Sequence, residues 1–110
     1  MKTTMVMLLL MVLAPALAIA GEIFGNITEG GHPVGAGVPL AITIQGRPYS
    51  TQTDRYGSYR IFLREQGQCT IVVNYQQQAP SVQVYSYDKS FRYNLALERA
   101  ASGQYSLSVR

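Results

Sequence analysis

Few residues in this chain are equipped to make or break bonds. His32 is the sole histidine and lies in the turn-forming run Gly30-Gly31-His32-Pro33. A nucleophile–histidine pair would have to place its base there, and a paired-histidine metal site cannot be assembled from one chain. Cys69 is the only cysteine, which excludes an intrachain disulfide and a four-cysteine metal site. Its alternation with Ile71 and Val73 puts the sulfur among apolar side chains and predicts a buried, inert thiol. An intermolecular bridge or a reactive thiol is the competing reading. The carboxylates Glu22, Glu29, Asp54, Glu65, Asp88 and Glu98 fall at strand ends, in turns or beside basic residues, where solubility accounts for them without acid–base chemistry. Lys89 sits in an Asp-Lys-Ser turn, which argues against a buried Lys–Asn crosslink. The expectation is a protein that is not an enzyme, with no catalytic residues, no metal ligands and no cofactor.

Tyrosine carries the more informative signal. All eight tyrosines follow residue 20. Tyr85 and Tyr87 alternate out of phase with Val82 and Val84, so a regular strand there exposes them as an aromatic pair. With Gln83, and with Gln76, Gln77 and Gln78 nearby in sequence, they could stack on sugar rings or anchor a protein partner. The plainer reading is that tyrosine suits a partly covered strand face. The absence of tryptophan counts against a dedicated carbohydrate site. Charge gives little more. Residues 21–110 carry eight basic and six acidic side chains, a net +2 with His32 neutral, and the two signs are interspersed, which excludes a nucleic-acid site.

The first 20 residues read as a secretory signal peptide. Lys2 precedes the apolar run Met5 to Ala14, followed by Pro15 and the small-residue stretch Ala16-Leu17-Ala18-Ile19-Ala20. The run is shorter than the roughly 20 residues of a membrane span. Cleavage after Ala20 predicts a secreted or periplasmic chain from Gly21 to Arg110, one small domain with no membrane span. No cysteine lies near the cut, which argues against a lipid anchor.

The rest predicts an all-β fold. Period-two alternation between turn signals gives strands at Glu22 to Thr28, Val38 to Gln45, Tyr49 to Thr53, Ser58 to Arg64, Gln68 to Tyr75, Ser81 to Tyr87 and Phe91 to Glu98. A last strand runs from Gln104 to Val109. Thr51 to Leu63 reads as a hairpin, with Asp54 and Gly57 as the structural turn residues and Tyr59, Ile61 and Leu63 on a buried face. The predicted core is Ile23, Ile27, Val38, Leu40, Ile42, Ile44, Tyr59, Ile61, Leu63, Cys69, Ile71, Val73, Val82, Val84, Phe91, Tyr93, Leu95 and Leu97. Pro39 lacks an N–H and predicts an edge or a bulge. Seven to eight short strands suggest a sandwich or a barrel.

Three blocks resemble the carboxypeptidase regulatory-like domain, a transthyretin-like β-sandwich module. The first is Gly25-Asn26-Ile27-Thr28 with Gly31-His32-Pro33-Val34-Gly35-Ala36-Gly37-Val38-Pro39-Leu40. The second is Thr51-x-Thr53-Asp54-x-x-Gly57-x-Tyr59-x-Ile61-x-Leu63. The third is Gly67 to Val73, with Cys69 where the family often has an aromatic residue, and Tyr93-Asn94-Leu95-x-Leu97 is similar to the closing strand. Together they cover most of Gly21 to Glu98. The chain does not resemble the transthyretin-related hydrolases, because it ends Leu107-Ser108-Val109-Arg110 and lacks their Tyr-Arg-Gly-Ser terminus. The resemblance implies an accessory module of secreted or envelope proteins, in a superfamily where some related folds bind glycans. Two binding readings follow: recognition of a glycan, or docking to an envelope or extracellular protein through an edge strand, as an assembly or accessory subunit.

Overall fold

The computed structural model describes residues 21–110. The leader and its cleavage site lie outside the described residues. Within them the chain is all β, in two sheets that share one core, and no helix is long and apolar enough to cross a membrane.

The first sheet is built around β1 (Gly21–Glu29). Its alternation buries Ile23 and Ile27 and turns Glu22, Phe24 and Asn26 to the outer face. β2 (His32–Pro33) folds back on its end. In the second sheet, β3 (Pro39–Ile44) and β4 (Arg47–Gln52) form a hairpin closed by Gln45 and Gly46, both at positive φ (51° and 76°), the combination that suits a two-residue turn to the strand twist. β5 (Ser58–Leu63) returns to the first sheet and pairs antiparallel with β1. β6 (Gly67–Val73) and β7 (Ser81–Ser86) complete the second sheet in the order β4-β3-β6-β7. β8 (Ser90–Arg92) and β9 (Leu95–Arg99) then run parallel to β1 on the side away from β5, and β10 (Tyr105–Val109) pairs with β9.

Four sequence expectations are corrected. Thr51 to Leu63 is not a hairpin, because β4 and β5 belong to different sheets. The Asp54–Gly57 turn is an arch that carries the chain across the core. Asp54 Oδ1 accepts the N–H groups of Tyr56 (2.8 Å) and Ser58 (3.0 Å), and Gly57 N–H donates to Asp54 O (2.9 Å). Gly57 has φ +74°, and a Cβ there would stand 2.9 Å from Ile27 O. Turn chemistry and alternation look alike in a hairpin and in an arch; what differs is which partner each strand takes, a non-local choice.

Phe91 to Glu98 is not one strand. It breaks at Tyr93-Asn94, where Tyr93 N–H donates to Phe24 O (2.8 Å) and Asn94 Oδ1 accepts Asn26 N–H (3.2 Å). The break sits against Gly25, where any Cβ would collide with Tyr93 O. Third, Phe91 is not a core residue: β8 is a three-residue strand that among the described residues has a partner on one side only, and Phe91 is 38 % exposed. Val38, Val82 and Tyr93 are half-buried against the core, the remaining predicted core residues are buried, and Ala96 and Leu107 join them. Pro39 opens β3, an inner strand, and is accommodated by its first position rather than by an edge.

Candidate binding surface

β7 sets the site. Val84 and Ser86 point into the core, so Gln83 and Tyr85 face out, and the chain then crosses to the first sheet through Tyr87, Asp88 and Lys89. Tyr85 is 45 % exposed and Tyr87 38 %. The crossing brings four rings into one run. Centroids of Tyr85 and Tyr87 are 4.8 Å apart, those of Tyr87 and Phe91 5.0 Å, and those of Phe91 and Tyr93 5.0 Å, with interplanar angles of 42°, 31° and 30°. These separations are in the range of favourable aromatic pairs. Because each ring leans on the next, the inner faces are largely engaged. What the run offers a ligand is ring edges, its end faces, and the hydroxyls of Tyr85 and Tyr87.

Tyr93 anchors the run. Its hydroxyl donates to Tyr85 O (2.8 Å) and accepts from Tyr85 N–H (3.2 Å), and its own carbonyl accepts the buried Tyr59 hydroxyl (2.6 Å). Burial raises the phenol pKa of both Tyr93 and Tyr59.

The outer face of the second sheet leads up to this run. Cross-strand pairing puts Pro39, Ala41 and Thr43 of β3, Pro48, Ser50 and Gln52 of β4, Gln68, Thr70 and Val72 of β6, and Ser81, Gln83 and Tyr85 of β7 on one side. None of them is charged. Gln68 and Gln83 form an amide pair, Nε2 to Oε1 at 2.5 Å, beside Tyr85. The outer face of the first sheet is the opposite in kind. There Arg60 pairs with Glu22, and Arg92 lies 4.9 Å over the Phe24 ring while donating to Asn94 Oδ1 (3.2 Å).

Of the residues singled out from sequence, Gln83, Tyr85 and Tyr87 lie together. Gln76, Gln77 and Gln78 do not join them, because they form the β6–β7 turn at the far end of β7. Gln76 and Gln77 take positive φ (53° and 65°), and the Gln78 side chain bonds Gly103 O and Tyr105 N–H. Asp54 and Gly57 lie in the arch, and His32 is exposed on β2. Phe91 and Tyr93 are additions that the sequence reading assigned to the core; only their i, i+2 spacing hints that the two rings act together.

A second missed cluster ties the sheets at that far end. Glu29 accepts hydroxyl bonds from Tyr75 (2.7 Å) and Tyr105 (2.9 Å), whose rings meet edge to face at 5.3 Å. The Tyr75 bond, then the Tyr105 bond, hold the Glu29 carboxyl below the usual carboxylate range; desolvation opposes them and Arg99 assists. Among the described residues no group of three or more His, Cys, Asp or Glu is placed to hold a metal ion.

Comparison with models of known protein families gives no match, and comparison with curated proteins gives none either.

Proposed function

We propose that this chain is an exported, non-catalytic binding module that holds a neutral glycan against the uncharged outer face of the second sheet, with the Tyr85–Tyr87 end as its anchor. The observation that supports this reading is the continuity of that face, amide and hydroxyl groups without a charge, with an exposed aromatic run. A neutral polysaccharide supplies hydroxyls that match side-chain amides and apolar C–H patches that match ring edges. Charged side chains on the contact would have to shed water without an opposite charge to receive them. The sequence blocks resembling the carboxypeptidase regulatory-like, transthyretin-like module lead to the same class of secreted or periplasmic accessory protein. Docking to an envelope protein is the alternative occupant of the same aromatic end.

The test is retention of the purified protein on a panel of neutral and uronate-bearing polysaccharides at two ionic strengths. Retention is expected on a neutral member and should be insensitive to salt. The double change Tyr85→Ala and Tyr87→Ala should weaken it about tenfold or more with the circular-dichroism spectrum unchanged. Unaltered retention in the double variant, or binding confined to acidic polymers at low salt, refutes the proposal.

A further inference from the structure

Independently of the glycan reading, we propose that two copies of this chain pair through the free edge of β5 in one defined antiparallel register. Every edge is closed at some point: Pro48 in β4 has no N–H, the Tyr93 hydroxyl occupies both backbone groups of Tyr85 on β7, Gln78 Oε1 takes the Tyr105 N–H of β10, and β2 and β8 are two and three residues long. What sets β5 apart is that its open residues, an arginine and an exposed phenylalanine two positions apart, complement each other across a two-fold axis.

Among the described residues β5 has a partner on one side only. Ile27 N–H donates to Gly57 O, so the pairs in step with it, Gly25 with Tyr59 and Ile23 with Ile61, are those that exchange hydrogen bonds. The N–H and C=O of Ser58, Arg60 and Phe62 therefore point away from β1. Asp54 closes both groups of Ser58, its Oδ1 accepting the N–H and its N–H donating to the carbonyl. Arg60 and Phe62 are left open among the described residues, and Phe62 is 54 % exposed.

Two copies of one strand related by a two-fold axis can pair in only a few registers. Centring on Arg60 opposes Arg60 to itself. Centring on Phe62 opposes Arg60 to Arg64. Both set like charges face to face, which is destabilising. Centring on Leu63 needs Arg64, which lies beyond the end of β5. Centring on Ile61 alone uses both open residues: Arg60 of each copy pairs with Phe62 of the other, exchanging four backbone hydrogen bonds across the axis. On the outer face each guanidinium then meets the other copy's phenyl ring, a favourable contact, and Glu22 offsets the charge of Arg60 in its own copy. The first sheet becomes continuous through the dimer. The β7 and β8 aromatic ends remain on the outer flanks.

Such a contact is small, so the association should be weak. Sedimentation equilibrium from roughly 10 μM to 1 mM protein should show a monomer–dimer equilibrium. Phe62→Lys places a like charge opposite Arg60 and should leave a monomer of unchanged circular dichroism. The register has its own readout: directly paired positions of the hydrogen-bonded kind lie about 5.5 Å apart, within disulfide range. A mixture of the Arg60→Cys and Phe62→Cys proteins should therefore oxidise to a cross-linked heterodimer faster than either variant oxidises alone. A monomer at all concentrations, a dimer indifferent to Phe62→Lys, or preferential self-linking of Arg60→Cys would overturn the proposal.

Discussion

Gly57→Ala tests the arch quantitatively, because Gly46→Ala provides a matched control. Both glycines have nearly the same positive φ, +74° and +76°, so both substitutions carry the conformational cost of placing a Cβ in the left-handed region, about 1–2 kcal/mol. They differ in surroundings. Nothing lies within 4 Å of a Cβ at Gly46, whereas at Gly57 it would meet Ile27 O at 2.9 Å, Val34 N at 3.2 Å and Pro33 Cβ at 3.3 Å. Relief requires the arch to move away from β1. That stretches the bond from Ile27 N–H to Gly57 O (2.8 Å) and disturbs the one from Val34 N–H to Ile27 O (3.2 Å), each worth about 1 kcal/mol. Gly57→Ala should therefore cost about 2–4 kcal/mol in all, some 1–2 kcal/mol beyond Gly46→Ala. For a domain of this size the excess corresponds to a further drop in Tm of about 5–15 °C. Urea titrations of the two variants at equal m-value measure the difference directly. Equal midpoints would refute the packing of the arch against β1 while leaving the positive φ intact.

Two further outcomes follow from buried or tied groups. Cys69 is 2 % exposed and burial pushes its thiol up to about 11, so a thiol reagent at pH 8 should modify it only once denaturant is added; stoichiometric labelling of the native protein would contradict the packing. Glu29 is held below its ordinary value near 4.5, so its contribution to stability is complete above that value and is lost as pH falls through the depressed one. Glu29→Gln should flatten that part of the acid limb in a thermal-melt series between pH 2 and 6, and an unchanged slope would show that the two tyrosine bonds carry no linkage.

What the sequence disclosed was whatever depends on local periodicity. The alternation of Ile23 with Ile27, of Leu40 with Ile42 and Ile44, and of Cys69 with Ile71 and Val73 marks one buried face wherever the strand ends up, and so does the phase of Tyr85 against Val84. Pairing depends on residues far away in the chain. Nothing between Thr51 and Leu63 distinguishes two strands side by side from two strands facing each other across a core. Phe91 has the phase of an inward residue, and its register partner Ile23 is indeed buried. It is exposed because β8, with β1 as its one partner among the described residues, lies at the margin of its sheet. The uncharged face likewise emerges only when four separate strands are laid in order.

The placement of β1 governs when this chain can fold. It is the centre of its sheet, yet its parallel partners arrive at the end of the sequence: the Asn26–Asn94 bond spans 68 residues. Until residues near Leu97 are available, Ile23 and Ile27 have β5 on one flank and an unpaired ladder on the other. Such loop closures are entropically costly and slow, so the second sheet, whose strands all lie within residues 39–86, can close first while the central strand of the other sheet stays open to aggregation until the last strands arrive.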